Sequence, residues 1–371
     1  MKNLIKKLIN PQMRRRVLIF LNRSWCFLCR CLPLRNVVLF YTIRADGKLL
    51  DNAKAVYDAC DGKKIIFAHM LPHSTKLKPL AYFYLLTSRV IVTDDYLRYM
   101  SAVKLRKGQS LVQIWHACGA FKKFGLDAPS NRTAKEEKAL HSQYSAVAVT
   151  SEKCKKFYAG AFGIDEDVCL PLGLPRTDRL FTDKGKMRES IFERYPALKG
   201  KRIYLYCPTF REDKGARVVF DPKLDFDEIS KSLEEDEIFV IRRHPVMDYR
   251  LTEDYSNIID LTEASTLELT AASDVIITDY SSVIYDALLL DVPPVFYCPD
   301  YKKYERGFYL DFPDDLPGEL VTDGVFLLDA VRNTKENPPV DRIKRFISEQ
   351  MEACDGKSAE RVAALIAKSL K

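Results

Sequence analysis

Two series of short β-branched runs, each run separated from the next by a helical stretch, constrain this chain more than any other feature. NVVLFYT (36–42), KIIFAH (64–69), RVIVTD (89–94), SLVQIWH (110–116) and AVAVTS (146–151) make the first series. RIYLYCPTF (202–210), EIFVIRRHP (237–245), NIID (257–260), DVIITDYSS (274–282) and PPVFYCP (293–299) make the second. Strands alternating with helices form parallel, doubly wound α/β sheets, so two series predict two such sheets. A chain of 371 residues with 47% hydrophobic and 29% charged residues can bury a core in each. The prolines and glycine of LPLGLPRTDRLF (170–181) discourage both helix and strand and mark the seam. The expected domains are therefore 36–181 and 182–371, the latter ending in one or two amphipathic helices over 341–371.

Every charged residue from Lys2 to Arg44 is basic, and the first acid is Asp46. No apolar run there approaches the ~20 residues that span a bilayer. Asn22, Arg23 and Ser24 interrupt the apolar core that a secretory signal would need. Residues 1–35 thus read as a basic, aromatic-containing arm suited to an anionic membrane surface. A solvated first helix packed partly on the body is the other reading. RNA contact is a third, but no nucleic-acid motif accompanies it and a net charge of +7 is modest for this size, so no nucleic-acid partner is assigned. Cysteines are scattered without a regular framework, which suits reduced thiols in a cytosolic setting. The lone CxxC, Cys26 and Cys29, has no second pair to complete a zinc site.

In open α/β sheets ligands bind beyond the carboxyl ends of strands, so polar residues just after an apolar run come first. His116 ends SLVQIWH, Thr209 and Arg211 follow YLYCP, His244 follows FVIRR, and Asp279, Ser281 and Ser282 follow VIIT. Ser281 and Ser282 precede a helix predicted to run to about Leu290. Their hydroxyls and the free backbone N–H groups either hold a diphosphate or simply cap the helix. Asp286, one turn deeper, is placed to accept hydrogen bonds from ribose hydroxyls. No metal site is expected: the HxxxH of His69 and His73 encloses Pro72, and the DxD patterns at Asp165 and Asp225 follow no apolar strand. GKS (356–358) lacks the glycine of a phosphate-binding P-loop, because position 351 is Met.

Four stretches, QIWHACGAFKKFG (113–125), YCPTFRED (206–213), RRHP (242–245) and ITDYSSVIYDALLLDVPPVFY (277–297), resemble in order and spacing the signature blocks of the CDP-glycerol glycerophosphotransferase family of teichoic acid synthesis. The resemblance implies a GT-B type fold of two Rossmann-like domains facing a central cleft. It implies a CDP-glycerol donor held mainly by the C-terminal domain, an undecaprenyl-type lipid-linked acceptor, and peripheral attachment at the cytoplasmic face of the membrane. No cofactor and no required metal ion are implied. His116 resembles the general base that takes the acceptor hydroxyl's proton. His244 and Arg211 resemble ligands of the donor phosphates, with Thr209, Ser281 and Ser282 adding donors and Asp279 or Asp286 contacting the nucleotide or orienting a neighbour. Lys122 and Lys123 either bind acceptor phosphate or form a solvated turn. Where many polymerising members read WHGTPLKK, this chain reads WHACGAFKK, closer to enzymes that add the first glycerol phosphate to a lipid-linked disaccharide. A CDP-ribitol enzyme and a GT-B glycosyltransferase using a nucleotide sugar are the alternatives.

Overall fold

A computed structural model of the chain describes residues 11–69, 79–97, 100, 103–128, 132–213, 216–218, 221–243, 247, 251, 253–304 and 307–371. The first sheet contains β1 (Arg35–Thr42), β2 (Lys64–Ala68), β3 (Ser88–Thr93), β4 (Ser110–Gln113), β5 (Ala146–Val149) and β6 (Cys169–Pro171) in the order β2-β1-β3-β4-β5-β6, all parallel. β7 (Arg202–Cys207), β10 (Glu237–Ile241), β11 (Ile258–Asp260), β12 (Val275–Thr278), β13 (Pro294–Tyr297) and β14 (Glu319–Val321) form a second, in the order β11-β10-β7-β12-β13-β14. β8 (Arg211–Asp213) and β9 (Ala216–Val218) make a small antiparallel hairpin.

All ten predicted runs carry strands. The edge strands β6 and β14 and the hairpin were not anticipated. Pro171 in β6 pairs with Val149 at the sheet edge, where its missing N–H costs no ladder bond, so the seam begins one strand later than its prolines suggest. Alternate residues of each strand feed opposite cores. In β1, Leu39 and Tyr41 face the helices Pro79–Thr87 and Glu152–Phe162, whereas Val38 and Phe40 face the helix Asp51–Ala59.

The final helix, Ser358–Leu370, inserts Val362 and Ile366 into that second core of the first sheet, so the structure does not keep 182–371 together. The chain crosses between sheets twice. The crossings meet where a side chain on Gly173 (φ +83°) would lie 2.2 Å from Ala353 O, and the Asp178 carboxylate accepts from the N–H groups of Ser358 and Ala359 (3.0 and 2.8 Å). Among the described residues no helix is long and apolar enough to cross a membrane.

The second sheet has the strand order of a dinucleotide-binding fold, and its direction of winding reverses between the neighbours β7 and β12. Such a switch point opens a crevice at the carboxyl ends of the two strands. Thr209 and Arg211 follow one of them; Asp279, Ser281 and Ser282 follow the other.

Candidate active site

β4 stops at Gln113, three residues short of His116, because Trp115 turns into the left-handed region (φ +47°). That conformation costs a bulky residue about 1–3 kcal/mol and survives only where its surroundings over-determine it. Here the Trp115 N–H donates to Gln113 Oε1 (2.9 Å), its carbonyl accepts from Asn52 Nδ2 (2.9 Å), and its ring stacks on the His116 ring at 4.3 Å. His116 is half-buried, with Nδ1 3.2 Å from the carbonyl of Asp94 at the end of β3. A carbonyl can only accept, so Nδ1 carries the proton and Nε2 keeps its lone pair, the tautomer a general base needs.

Burial lowers the His116 pKa, outweighing the opposing charge of Asp95; Arg44 and Arg176 lower it further. The side chain is therefore neutral over a wider range than an ordinary histidine. If it is the base, the acid limb of the kcat/KM profile falls below the usual histidine range, near pH 6.5. A limb at or above that value, measured by pH-rate profile, would contradict this environment. Asp94 itself is fully buried, and burial, only partly offset by Thr42 and Arg44, pushes its carboxyl up to about 6.

On the second sheet, Thr209, Arg211 and Asp279 come together at the switch point. Buried Asp279 accepts from the Thr209 N–H and hydroxyl (3.1 and 2.9 Å for Oδ1) and from Arg211 Nη1 (2.8 Å). Asp300 takes the rest of the guanidinium, with Arg211 Nε at 2.7 Å and Nη2 at 3.1 Å, and Tyr280 donates its hydroxyl to the same carboxylate (3.0 Å). Burial works against the Asp300 charge, yet Arg211 holds its pKa below the ordinary carboxylate range. Arg211 is thus clamped between two carboxylates and over the Tyr280 ring (4.9 Å), and fixes the loops after β7, β12 and β13 to one another. The side chain expected to bind a donor phosphate is thus engaged by Asp279 and Asp300.

The helix after the double serine, Val283–Leu289, ends close to the expected Leu290. Ser281 Oγ accepts from the Val283 N–H (3.3 Å), while the exposed Ser282 makes no capping bond with its side chain. Both oxygens of Asp286, expected to contact the nucleotide, take Arg176 Nη1 (2.8 and 2.9 Å), because the seam places that arginine against the helix. His244, expected to hold the donor phosphates, lies outside the described residues.

The loop carrying His116 docks onto the second domain. A side chain on Gly119 (φ +60°) would lie 2.3 Å from the Tyr285 ring, and the Ala120 N–H donates to Gln350 Oε1 (3.1 Å), while the Gly119 N–H stays within the first domain on Thr150 Oγ1 (3.1 Å). Lys122 pairs with Phe308 in an antiparallel bridge, and the Lys123 N–H donates to Gly307 O (3.2 Å). The Lys122 ammonium sits 5.5 Å from the Tyr304 ring. The loop after His116 therefore meets the helix after Ser282. Sequence reading missed Asn52, Arg176, Tyr280 and Asp300. Asp300, just beyond the apolar run PPVFYCP, and Tyr280, between Asp279 and Ser281, carried the same signal as the residues that were named.

The family described as CDP-glycerol:poly(glycerophosphate) glycerophosphotransferase matches residues 27–368. The chain belongs to this family. It is 37% identical over 301 residues to the teichoic acid ribitol-phosphate primase of Bacillus spizizenii, covering 78% of this chain and 77% of that one. It is 35% identical over 301 residues to the teichoic acid poly(ribitol-phosphate) polymerase of the same organism, covering 78% of this chain and 48% of the polymerase, so it spans about half of that protein's length. The wall teichoic acid polymerase TagF superposes with a TM-score of 0.74 at 21% identity, over 96% of this chain and 95% of the TagF chain. At that identity the likeness shows the fold, which is GT-B in type.

Proposed function

We propose that the chain transfers a polyol phosphate from a CDP-linked polyol to a membrane lipid-linked acceptor, releasing CMP, in the synthesis of teichoic acid or a related cell-surface polymer. The observation that carries the reading is the family match over residues 27–368, supported by an Nδ1-protonated His116 beyond β4 and by the β7/β12 switch point of the second sheet. In the proposed reaction His116 Nε2 takes the proton of the acceptor hydroxyl, whose oxygen bonds to the β-phosphorus. The bond from that phosphorus to the bridging oxygen breaks, and its electron pair leaves with CMP. The backbone N–H groups and serine hydroxyls after β12 and, as the resemblance implies, His244 hold the donor phosphates. The family description favours glycerol. Ribitol is a second reading, favoured by the two ribitol-phosphate relatives. Incubation with CDP-glycerol or CDP-ribitol and a synthetic lipid disaccharide, followed by mass spectrometry, identifies the polyol and counts the units added. An acceptor unchanged in mass with both donors would overturn the reading.

We further propose attachment to the cytoplasmic face of the membrane through the helix Pro11–Cys31. Val17, Phe20, Leu21, Phe27 and Leu28 lie on its outer side and are exposed, Phe20 to 69%. The inner side buries Cys29 against Leu86 and Val103, and Trp25 Nε1 donates to Pro79 O (2.8 Å). Arg35, at the end of the expected 1–35 arm, belongs to the body: it starts β1 and bonds Thr87 Oγ1 through Nε and Nη2 (3.1 and 2.9 Å). Deleting the arm would thus uncover Leu86, and substitution on the outer side is the cleaner test. Burying a Phe or Leu side chain gains roughly 1.5–3 kcal/mol, so Phe20→Glu, Leu21→Glu and Leu28→Glu together should weaken binding to anionic vesicles at least about tenfold. Unaltered flotation of that variant would place the anchor elsewhere.

A further inference from the structure

Asn52 sits in the first turn of the helix Asp51–Ala59, fully buried, and bonds no residue of its own helix with its side chain in the contacts that fix its amide. Its Nδ2 donates to Trp115 O (2.9 Å), and its Oδ1 accepts from the Arg176 N–H (2.8 Å). Arg176 in turn grips Asp286 with Nη1. One amide therefore joins three places: the left-handed bend that precedes His116, the interdomain seam, and, through Arg176, the helix that follows the double serine. The orientation of the amide is fixed by its partners, since Trp115 offers an acceptor and Arg176 a donor. Asparagine is suited to this: aspartate lacks the donor, and serine or threonine has a single polar atom where two must be reached.

We propose that Asn52 is a positioning residue for the transfer reaction, which sets the Trp115 bend and so the aim of His116, and couples that aim to the donor-side helix through Arg176. The inference rests on the reaction proposed above for its kinetic consequence and on geometry alone for its effect on the ring. The charged groups around His116 are Asp95, Arg44 and Arg176, with the Asp94 carbonyl on Nδ1. At a pH where the new carboxyl is ionised, Asn52→Asp keeps an acceptor for Arg176 and turns a carboxylate oxygen toward the Trp115 carbonyl, adding a negative charge to this set. Negative charge favours the imidazolium, so the His116 pKa should rise and the acid limb of the pH-rate profile should move to higher pH.

The test compares the full-length wild type with Asn52→Asp and with the uncharged Asn52→Ser, which folds without a buried carboxylate. Loss of aim should lower kcat by a factor on the order of 10 to 100 in both variants, with the donor KM changed by less than about threefold, because a misplaced base costs rate rather than ground-state binding. Imidazole NMR, with the His116 signal assigned by its loss in His116→Ala, reads the ring directly whether or not the reaction is the one proposed. A raised His116 pKa in Asn52→Asp and a shifted His116 resonance in Asn52→Ser are the expected results. A folded Asn52→Ser protein with wild-type kcat and an unmoved His116 resonance would overturn the inference. So would a fall in kcat that merely follows the fraction unfolded by circular dichroism.

Discussion

His116→Ala should lower turnover by a factor on the order of 10² to 10⁴ while the CDP-polyol still binds, as expected when a general base is removed and the donor contacts are kept. His116 touches the first domain only in the contacts that fix its ring: Asp94 O on Nδ1 and the Trp115 stack. The proposed donor crevice, in contrast, lies at the loops after β7 and β12. Removing the imidazole should therefore leave calorimetric binding of the donor unchanged. The fold should also survive, because the stacked partner Trp115 keeps its ring contacts with Tyr96, Phe124 and Phe162. Normal turnover in the folded variant would leave His116 a structural hydrogen-bonder. Loss of donor affinity would show that the ring contacts the donor as well.

Arg211→Ala should destabilise the second domain by about 3–5 kcal/mol, the cost of leaving a buried ion pair with one partner. Asp279 is 1% exposed, and without the guanidinium it keeps only the Thr209 and Tyr280 donors while facing the like charge of Asp300. Burial, no longer offset by the guanidinium, would then raise the pKa of the Asp300 carboxyl. Protonation relieves the defect, so the gap between variant and wild type should narrow as the pH falls. Arg211→Lys keeps the charge but cannot span two carboxylates with a planar fork, and should recover only part of the loss. Urea unfolding of all three at two pH values measures these differences. A wild-type midpoint for Arg211→Ala would mean that the clamp contributes nothing to the fold.

The two sheets were legible because buried parallel strands read as continuous β-branched runs, which no polar requirement interrupts. The three-residue strands β6 and β14 carry too few residues to show a period, and each lies at an edge where one neighbour suffices. His116, Thr209, Arg211 and the double serine stood out as polar residues directly after apolar strands. What those side chains bond to was a different matter. Arg211 looks in sequence like a cation awaiting phosphate, yet Asp300 lies 89 residues away and only the third dimension shows that it neutralises Arg211 together with Asp279. Asp286 has the helical spacing for a ribose contact, but Arg176 reaches it from a seam whose sequence announces only a turn. Asn52 begins an ordinary amphipathic helix, and its burial follows from the tertiary approach of two distant backbone groups.

Acceptor-dependent release of nucleotide from a purified chain tests the central claim most directly. With a soluble lipid-disaccharide analogue present, the account predicts that CMP appears from CDP-glycerol or CDP-ribitol in step with a polyol-phosphate gain on the acceptor, and that UDP-sugars are left intact. Release of UDP from a UDP-sugar, with no CMP from either CDP-polyol, would contradict it and make the chain a glycosyltransferase on the same fold.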